Sequence, residues 1–361
     1  MLIDCGSLKN HKKKIAEISN RVIEDIRDSD GTPRIDVLVV THRHADHISG
    51  FANPEWSKVE VGEVWMPWTE SPTEGRAIRL REAQTRLAAQ LHQSLLHMHP
   101  DADLLAVTQN ALSNDGALDV IHRGFRGSPM RRFLPNDQLS GRILETDRLP
   151  GVTVFILGPP HDESAIRSMD PGDEGFLALN TSDPGAAKVP APFSPAWIYD
   201  EGLRLEPSDE DAIRRAGEGF DTRLTALLDS WLNNTSLILM LRIGNKHFLF
   251  PGDAQWGPWE LLLGDPETRR LLAKTNFYKV GHHGSHNATP VSFVKDVLTN
   301  ANWAMISVTP YGKWKDIPRK PLVDELRGKG IKLAISNQDE FDADYKVEGD
   351  WWIQLEVPII L

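Results

Sequence analysis

The sequence predicts an α/β fold formed by one continuous domain over residues 1–361. A helical stripe of apolar residues at positions 11–27 lies between two short apolar strands, so the chain opens as strand, helix and strand. Candidate metal ligands then follow predicted strands at widely separated positions, and they can meet only if the whole chain folds together. With 361 residues and 40% hydrophobic content, the chain can bury a core of that size.

The first candidate ligands follow the strand at residues 35–40, which is short, apolar and rich in β-branched residues. Directly after it come His42, His44, Asp46 and His47. Imidazole and carboxylate groups are the usual nitrogen and oxygen ligands of zinc and similar cations. Two histidines separated by one residue can share one metal from an extended loop, whereas the adjacent Asp46 and His47 are placed to hold another. The spacing therefore predicts two metal ions.

A helical insertion is predicted over residues 66–150. Ser71 has the character of a helix N-cap, a proline follows it, and Glu74 stands at the returning position of a capping box, so a long helix should run from here to about Met98. The segment at residues 165–222 is rich in Gly, Pro, Asp and Ser and has no sustained period, which predicts an irregular insertion. We expect these two regions to determine substrate specificity.

His161 follows a predicted strand at residues 152–158 and a Pro-Pro turn. Two interpretations remain open for this side chain. It could be a ligand of the metal shared by His42 and His44, or it could be a solvent-exposed loop histidine after the turn.

A carboxylate and a histidine pair follow the later strands. Residues 236–250 contain two apolar β-runs around a Gly-Asn turn, which is typical of a β-hairpin, and Asp253 comes shortly afterwards. Alone, the Gly-Asp pair is more often an ordinary turn, but behind the first cluster this carboxylate could bridge two cations. The strand at residues 277–280 then runs into His282 and His283, for which solvated loop residues are the less common alternative when the pair is taken alone.

The C-terminal part returns to an alternation of strands and helices. The pattern predicts a strand at residues 303–308, a helix from near Pro321 to the glycines around Gly328, and strands at residues 331–335 and 351–357. These elements are expected to complete the second half of the fold.

Four motifs occur in order: His-x-His-x-Asp-His, Asn-x-x-Ser from Asn233 to Ser236, Phe-Pro-Gly-Asp, and Lys-x-Gly-His-His-Gly-Ser. Together they resemble the metallo-β-lactamase superfamily, and within it the branch typified by the soluble domain of the competence protein ComEC. The resemblance covers most of the chain and implies a four-layer αβ/βα sandwich with a dinuclear metal site at one edge. Family members usually begin with an extra strand before the Ile-Asp-x-Gly strand, whereas here Met1 directly precedes it, so either the start is truncated or an edge strand is missing.

The resemblance also implies a ligand set and a cofactor. The implied ligands are His42, His44, Asp46, His47, Asp253 and one member of the pair His282 and His283. Which of the two histidines binds metal stays open. The implied cofactor is a pair of divalent cations, with zinc favoured by the histidine-rich ligation and manganese or iron as alternatives.

The chemistry that the resemblance implies is hydrolysis. A hydroxide between two cations, which Asp253 also bridges, would attack a phosphodiester, and Asp46 would belong to the reacting centre as well as to the ligand set. A protonated His282 or His283, or Lys279, would assist the leaving oxygen. The predicted function is therefore a phosphodiesterase or nuclease.

Three further polar residues are candidates for substrate binding. Ser285 and Asn287 are placed to hold an anionic group near the metals, and Asn233 to orient backbone or substrate. For each of them a purely structural role in a turn is an equal alternative.

Two other functional classes remain open from the sequence. The same site would serve a metallohydrolase of a carboxyl ester, thioester or lactam. It could also belong to a metal-stabilised module without catalytic activity inside a larger assembly. Fold resemblance cannot choose among these, because function depends on the site and its insertions.

Composition limits the partners. No apolar run approaches the roughly 20 residues of a membrane helix, and the N-terminus lacks the pattern of a signal peptide, which predicts a cytoplasmic protein without membrane association. Cys5 is the single cysteine, so an internal disulfide framework is excluded. The formal net charge of −11 argues against broad attraction to nucleic acid. A local basic track remains open at residues 123–133, where four arginines and two phenylalanines could bind phosphates or form a solvated loop, and the oligomeric state is left undetermined.

Overall fold

The computed structural model describes most of the chain. The described residues are 1–7, 14–98, 102–112, 114–136, 139, 142–168, 171, 174–175, 224–308, 316–338, 341–342, 344–349 and 351–360. The predicted irregular insertion at residues 165–222 lies outside the described residues except for 165–168, 171 and 174–175.

Strands and helices alternate along the described residues, which confirms the α/β class. The strands are β1 (Leu2–Ile3), β2 (Arg34–Val39), β3 (Glu60–Pro67), β4 (Met130–Leu134), β5 (Ile143–Leu144), β6 (Val152–Gly158), β7 (Ile238–Ile243), β8 (Lys246–Phe250), β9 (Phe277–Lys279), β10 (Trp303–Ile306), β11 (Lys332–Ile335), β12 (Tyr345–Glu348) and β13 (Trp352–Leu355). The helices are α1 (Ile15–Asp25), α2 (Ala45–Ile48), α3 (Gly75–Met98), α4 (Ala102–Leu112), α5 (Asp115–Asp119), α6 (Glu163–Arg167), α7 (224–233), α8 (Trp256–Gly264), α9 (Pro266–Leu272) and α10 (Lys320–Gly328).

The strands form two large sheets. The first has four parallel strands in the order β1-β2-β3-β4, and the second has seven strands in the order β11-β10-β9-β8-β7-β6-β5. In the second sheet β8 to β11 run parallel, whereas β5 to β8 pair antiparallel. The predicted hairpin is confirmed as β7 and β8, where Gly244 adopts the positive φ of 53° that its turn requires.

Side chains alternate between the two faces of each sheet, and one face of each sheet packs against the other sheet. Val37 and Val39 of β2 pack with Val154 of β6 and Leu239 of β7 in a cluster between the sheets. On the outer face of the first sheet, Leu38 packs in a second cluster with residues of α1 and α5. The outer face of the second sheet is covered by α8, α9 and α10. Each sheet therefore buries both faces, as parallel strands usually do.

The predicted helical insertion contains α3, α4 and α5, followed by β4 and β5 at its C-terminal end. The Ser71 hydroxyl accepts a hydrogen bond from the Glu74 amide at 3.2 Å, as the capping pattern predicts, although α3 begins at Gly75. Apolar residues of α3 pack against α7, as in the contact of Leu91 with Leu228 and Leu232. The insertion is therefore fixed beside the helix that precedes β7.

The strand predicted at residues 351–357 forms as β13, but the prediction that it completes the main fold is wrong. It pairs with β12 in a separate antiparallel two-stranded sheet. This hairpin is anchored on the second large sheet by Tyr345, whose buried hydroxyl donates to the carbonyls of Ala304 and Lys332 at 2.7 and 3.1 Å. None of the described helices has the length and apolar character needed to cross a membrane.

Candidate metal centre

Three loops that follow strands carry the candidate ligands to one place. β2 leads into the loop with His42 and His44, β8 into Asp253, and β9 into His283. The first loop and the second sheet are joined directly, since the Leu237 amide donates to the Thr41 carbonyl at 2.8 Å. The carboxyl ends of strands from both sheets thus meet at one edge, where ligands of α/β folds usually bind.

Four of the predicted ligands form one compact group, which we call the four-donor cluster: Asp46, His47, Asp253 and His283. One nitrogen or oxygen atom from each lies within 4.8 Å of the others. The His283 Nε2 atom is 2.9 Å from Asp46 Oδ2 and 3.9 Å from Asp253 Oδ2. The His47 Nε2 atom is 3.1 Å from Asp253 Oδ2 and 3.8 Å from Asp46 Oδ2.

These separations suit a shared cation. Two donors that each lie about 2.0–2.1 Å from a tetrahedral zinc ion are roughly 3.4 Å apart, which is the middle of the observed range. The Asp46 Oδ1 atom is buried and has no hydrogen-bond partner among the described residues. A buried carboxylate oxygen without a partner is costly unless a cation or another donor satisfies it. The donor set and its geometry therefore fit a divalent metal ion.

His47 is oriented by Asp4. The Asp4 Oδ2 atom is 2.7 Å from His47 Nδ1 and also accepts the Thr41 hydroxyl at 2.6 Å. When Nδ1 donates to this carboxylate, the lone pair of Nε2 points to the four-donor cluster. Burial opposes the charged imidazole, but the carboxylates of Asp253, Asp4 and Asp46 raise the pKa of His47 well above its usual value. The site thus attracts positive charge strongly.

The structure brings His283, and not its neighbour, into the four-donor cluster. Its Nδ1 donates to the Ser307 carbonyl at 2.7 Å, which directs Nε2 to the four-donor cluster. Burial acts against protonation, but the hydrogen bond to Asp46 and the charge of Asp253 raise the pKa of His283. His282 and His283 both adopt positive φ values, 41° and 55°, which non-glycine residues rarely do.

The two carboxylates of the cluster are held in the ionised form. Burial raises the pKa of a carboxyl group, yet His47 and His283 outweigh this effect and lower the pKa of Asp46. The pKa of Asp253 is likewise well below its usual value, mainly because His47 lies beside it. The other oxygen of Asp253 accepts the His282 amide at 3.0 Å. Both side chains therefore present negative charge to a cation near neutral pH.

The predicted first site is less complete. The His42 Nε2 and His44 Nδ1 atoms converge at 3.1 Å, as expected for two ligands of one metal. Burial is the main cause that holds the pKa of His42 well below its usual value, so this imidazole is neutral and can donate a lone pair. The remaining ring nitrogen of His44, Nε2, is buried without a hydrogen-bond partner among the described residues. Asp229 of α7 is the nearby carboxylate, with Oδ1 3.9 Å from this atom.

His282 is held by a chain of polar side chains. Asn287 donates to Gln255 Oε1 at 2.7 Å, and this contact directs the Gln255 amide nitrogen to His282 Nδ1 at 3.1 Å. The Ser285 hydroxyl lies 2.9 Å from the same nitrogen. Of the two residues that the sequence places near an anionic substrate group, Ser285 thus contacts His282 directly, and Asn287 reaches it only through Gln255 and Ser285.

The other face of His282 points to α7. The His282 Nε2 atom lies 3.4 Å from the Asn233 amide nitrogen and 4.0 Å from Asp229 Oδ2. Asn233 in turn donates to the same Asp229 oxygen at 2.9 Å. Burial lowers the pKa of His282, which favours the neutral ring and leaves one ring nitrogen able to accept a proton. His282 is therefore suited to proton transfer at the edge of the four-donor cluster.

Two predicted residues lie at the margin. Lys279 donates to the Val280 carbonyl at 3.3 Å, and burial lowers its pKa although the charges of Asp253 and Asp4 counteract this. His161 is exposed, and its ring packs against Trp68 with ring centroids 4.9 Å apart. The structure does not bring His161 into the four-donor cluster.

The loop of residues 42–47, which we call the metal loop, is packed so closely that one neighbouring position requires glycine. A Cβ atom at Gly6 would lie 2.4 Å from the carbonyl carbon of His47 and 2.5 Å from the carbonyl oxygen of Asp46. Any side chain there would displace these two candidate ligands. The segment around β1 therefore supports the loop both through Asp4 and through this close contact.

Sequence reasoning missed three residues of the site: Asp4, Asp229 and Gln255. Asp4 could have been found, because it ends the short strand β1 beside β2, at the same sheet edge as His42. Asp229 lies in α7 and Gln255 directly precedes α8, in segments without a metal-ligand spacing, so no local pattern marks them. Only the packing of α7 and of the segment before α8 reveals them.

No protein-family model matches the chain, and a search of curated proteins finds no match either. Its function is therefore inferred from the geometry and chemistry of the side chains described above.

Proposed function

We propose that this protein is a metal-dependent hydrolase of phosphodiesters, with the metallo-β-lactamase-type sandwich that its motifs resemble. The observation that carries the proposal is the four-donor cluster with its fixed imidazole tautomers. The convergence of His42 Nε2 and His44 Nδ1 beside it supports a second cation. Two sheets packed face to face, with helices on both outer faces, support the four-layer arrangement.

Asp46, His47, Asp253 and His283 would hold one ion, and His42 and His44 would contribute to the other. Bound divalent metals of this kind lower the pKa of water and stabilise negative charge on phosphoryl oxygens. Zinc suits the imidazole-rich set, and manganese or iron are compatible with it.

The chain's own residues would then position the ligands and move a proton. Asp4 and the Ser307 carbonyl keep His47 and His283 in the tautomers that expose Nε2. The lowered pKa of His282 favours its neutral ring, which can accept a proton at its free nitrogen and then pass this proton to a leaving oxygen. Asp229 lies beside Nε2 and would stabilise the imidazolium that forms when the proton is accepted.

The test is metal content by elemental analysis together with turnover on a mixed substrate panel. The panel holds bis(p-nitrophenyl) phosphate, single-stranded DNA, RNA and cyclic nucleotides, with zinc or manganese added. We expect bound metal and hydrolysis of at least one phosphodiester, and a large loss of both in Asp46→Asn. The matched control is Asp36→Asn, because Asp36 is exposed on β2.

Two results would overturn the proposal. One is turnover confined to chromogenic carboxyl esters, thioesters or β-lactams, which would assign a different substrate class to the same site. The other is a metal-loaded protein that hydrolyses no member of either panel, which would indicate a structural metal centre.

A further inference from the structure

Positive charge is concentrated on one helix of the insertion. The helix α3 contains one acidic residue, Glu82, and four arginines, at positions 76, 79, 81 and 86. The whole chain carries a formal net charge of −11. A local excess of arginine on such a background is not explained by average composition, and arginine is the side chain best suited to bind phosphate.

A depression of 530 Å³ that is open to solvent lies between α3 and Arg43 of the metal loop. Its polar lining comes from Arg43, Arg81, Glu82, Thr85 and Arg86. The apolar part of its wall comes from an isoleucine and an alanine of α3. We call this space the arginine cavity.

The charges of the three lining arginines are compensated unequally. Arg43 forms two hydrogen bonds, 2.9 and 2.8 Å long, to the buried carboxylate of Glu70. Arg81 donates to the Thr69 carbonyl, and Arg86 is exposed. Across the described part of the chain, neither Arg81 nor Arg86 has a carboxylate within ion-pair distance. Two guanidinium groups therefore face the cavity with charge available for an anion.

Burial adds to this imbalance at Arg81. It lowers the pKa of the Arg81 guanidinium, and the charge of Arg43 acts in the same direction, while the charges of Glu70 and Glu82 act against both. A half-buried guanidinium that is repelled by a neighbouring arginine is stabilised when an anion binds beside it.

The arginine cavity and the metal centre share one stretch of backbone. Arg43 stands between His42 and His44 in the sequence. The same loop is tied to the insertion, because Asn114 donates to the Arg43 carbonyl at 2.6 Å and the Ala45 amide donates to Asn110 Oδ1 at 2.7 Å. The distance from the cavity to the metal ligands is therefore fixed by the fold.

We propose that the arginine cavity binds a phosphate group of a single-stranded polynucleotide, next to the phosphodiester that is cut at the metal centre. This inference rests on the proposed function and narrows its substrate class. A volume of 530 Å³ exceeds what a free phosphate needs and suits a nucleotide unit, whose sugar and base can contact the apolar wall. The Thr85 hydroxyl adds a donor for a phosphate oxygen.

The test measures binding and turnover of zinc-loaded protein. Binding is followed by fluorescence anisotropy with a labelled single-stranded oligonucleotide of about 12 nucleotides that has phosphorothioate linkages. For the double variant Arg81→Ala/Arg86→Ala we expect a dissociation constant at least roughly tenfold higher than for the unmodified protein. The slope of the logarithm of the binding constant against the logarithm of the salt concentration should be smaller in magnitude by about 1.4, as for the loss of two phosphate contacts. The ratio of kcat/KM for the oligonucleotide to that for bis(p-nitrophenyl) phosphate should fall with it.

The matched control is Arg269→Ala/Arg270→Ala, which removes the same charge from exposed positions of α9. It should bind the oligonucleotide as the unmodified protein does. Arg86→Glu is the second test variant, because Arg86 is exposed and its replacement should leave the fold intact, as a thermal melt would verify.

Three outcomes would overturn the proposal. They are equal effects of the α3 and α9 variants, an Arg86→Glu protein that binds as tightly as the unmodified one, and binding in which inorganic phosphate competes as well as the oligonucleotide does. The binding assay does not require hydrolysis. Tight arginine-dependent binding without turnover would therefore remove the proposed hydrolase while the polynucleotide site remained.

Discussion

The two halves of the candidate metal centre share the loop of residues 42–47 but differ in how completely they are held. The four-donor cluster gathers ligands from three loops, and hydrogen bonds to Asp4 and the Ser307 carbonyl orient its two imidazoles. The pair His42 and His44 has converging nitrogens, but no third carboxylate or imidazole joins them in the described residues within the spacing that defines the cluster.

This difference indicates that affinity is set by supports outside the ligand motif. A histidine whose second nitrogen is bound keeps its lone pair aimed at the metal, whereas the Nε2 atom of His44 is unsupported. We expect one tightly bound ion in the four-donor cluster and a second, weaker ion at His42 and His44.

The largest effect is expected for Asp253→Asn. This change removes a ligand charge that lies 3.1 Å from His47 Nε2 and 3.9 Å from His283 Nε2. Zinc affinity of the tight site should fall by more than the roughly 100-fold that is typical of changes behind a ligand. A competition titration with a chromophoric chelator measures it, with Asp36→Asn as the control. A loss smaller than about tenfold would mean that Asp253 is not a ligand.

A smaller effect is expected for Asp4→Asn. The amide can still contact Thr41, but it no longer fixes the His47 tautomer through a charged hydrogen bond. Zinc should bind about 10- to 100-fold more weakly at the tight site, and the weak site should change little. Isothermal titration resolves the two sites. Equal losses at both would contradict the assignment of Asp4 to one half.

The stability of the metal-free protein should fall with rising pH, whereas the affinity for metal should rise. In the metal-free protein, the raised pKa of His47 and His283 contributes stability that is full below their unfolded value of about 6.5 and is lost as the pH rises through the folded values. A metal must displace these protons, so its affinity falls by about tenfold per displaced proton and pH unit on acidification.

Melting temperatures over the range from about pH 6 to about pH 9 check this prediction. The melting temperature of the metal-free protein should fall with rising pH. The melting temperature of the zinc-loaded protein should rise relative to that of the metal-free protein. Asp46 and Asp253, with lowered pKa values, lose their contribution only at much lower pH, as the pH falls through their folded values. Parallel curves for the two forms would show that the imidazoles do not exchange protons for metal.

The sequence predicted the parts of this centre that depend on local pattern. The strand before His42, the hairpin before Asp253 and the strand before His283 all form, because apolar runs followed by turn residues encode them locally. The choice between His282 and His283 could not be predicted. It depends on left-handed backbone at both residues and on the Ser307 carbonyl, which belongs to the neighbouring strand segment.

Long-range packing decided the remaining parts. β13 has the alternating pattern of a sheet strand, but it pairs with β12 outside the main sheets. Tyr345 of β12 holds this hairpin in place by its hydrogen bond to the Ala304 carbonyl. Asp229 approaches His44 only because α7 packs against α3 of the insertion. The arginines of residues 123–133 are bound to protein groups, such as Arg132 to Glu63 at 2.8 Å, so the basic cavity is found on α3 instead.

The smallest effect on the tight site is expected for His42→Ala. His42 contacts His44 and packs against the His47 ring at a centroid distance of 4.2 Å, but its nitrogens make no contact with Asp253 or His283 within hydrogen-bonding distance. The weaker ion should be lost, whereas the affinity for the first ion should change by less than about threefold, because no ligand of the four-donor cluster is removed. Titration of His42→Ala should therefore show one ion per chain where the unmodified protein binds two. If both ions disappear together, the two halves form a single cooperative site, and the difference in their supports does not translate into a difference in affinity.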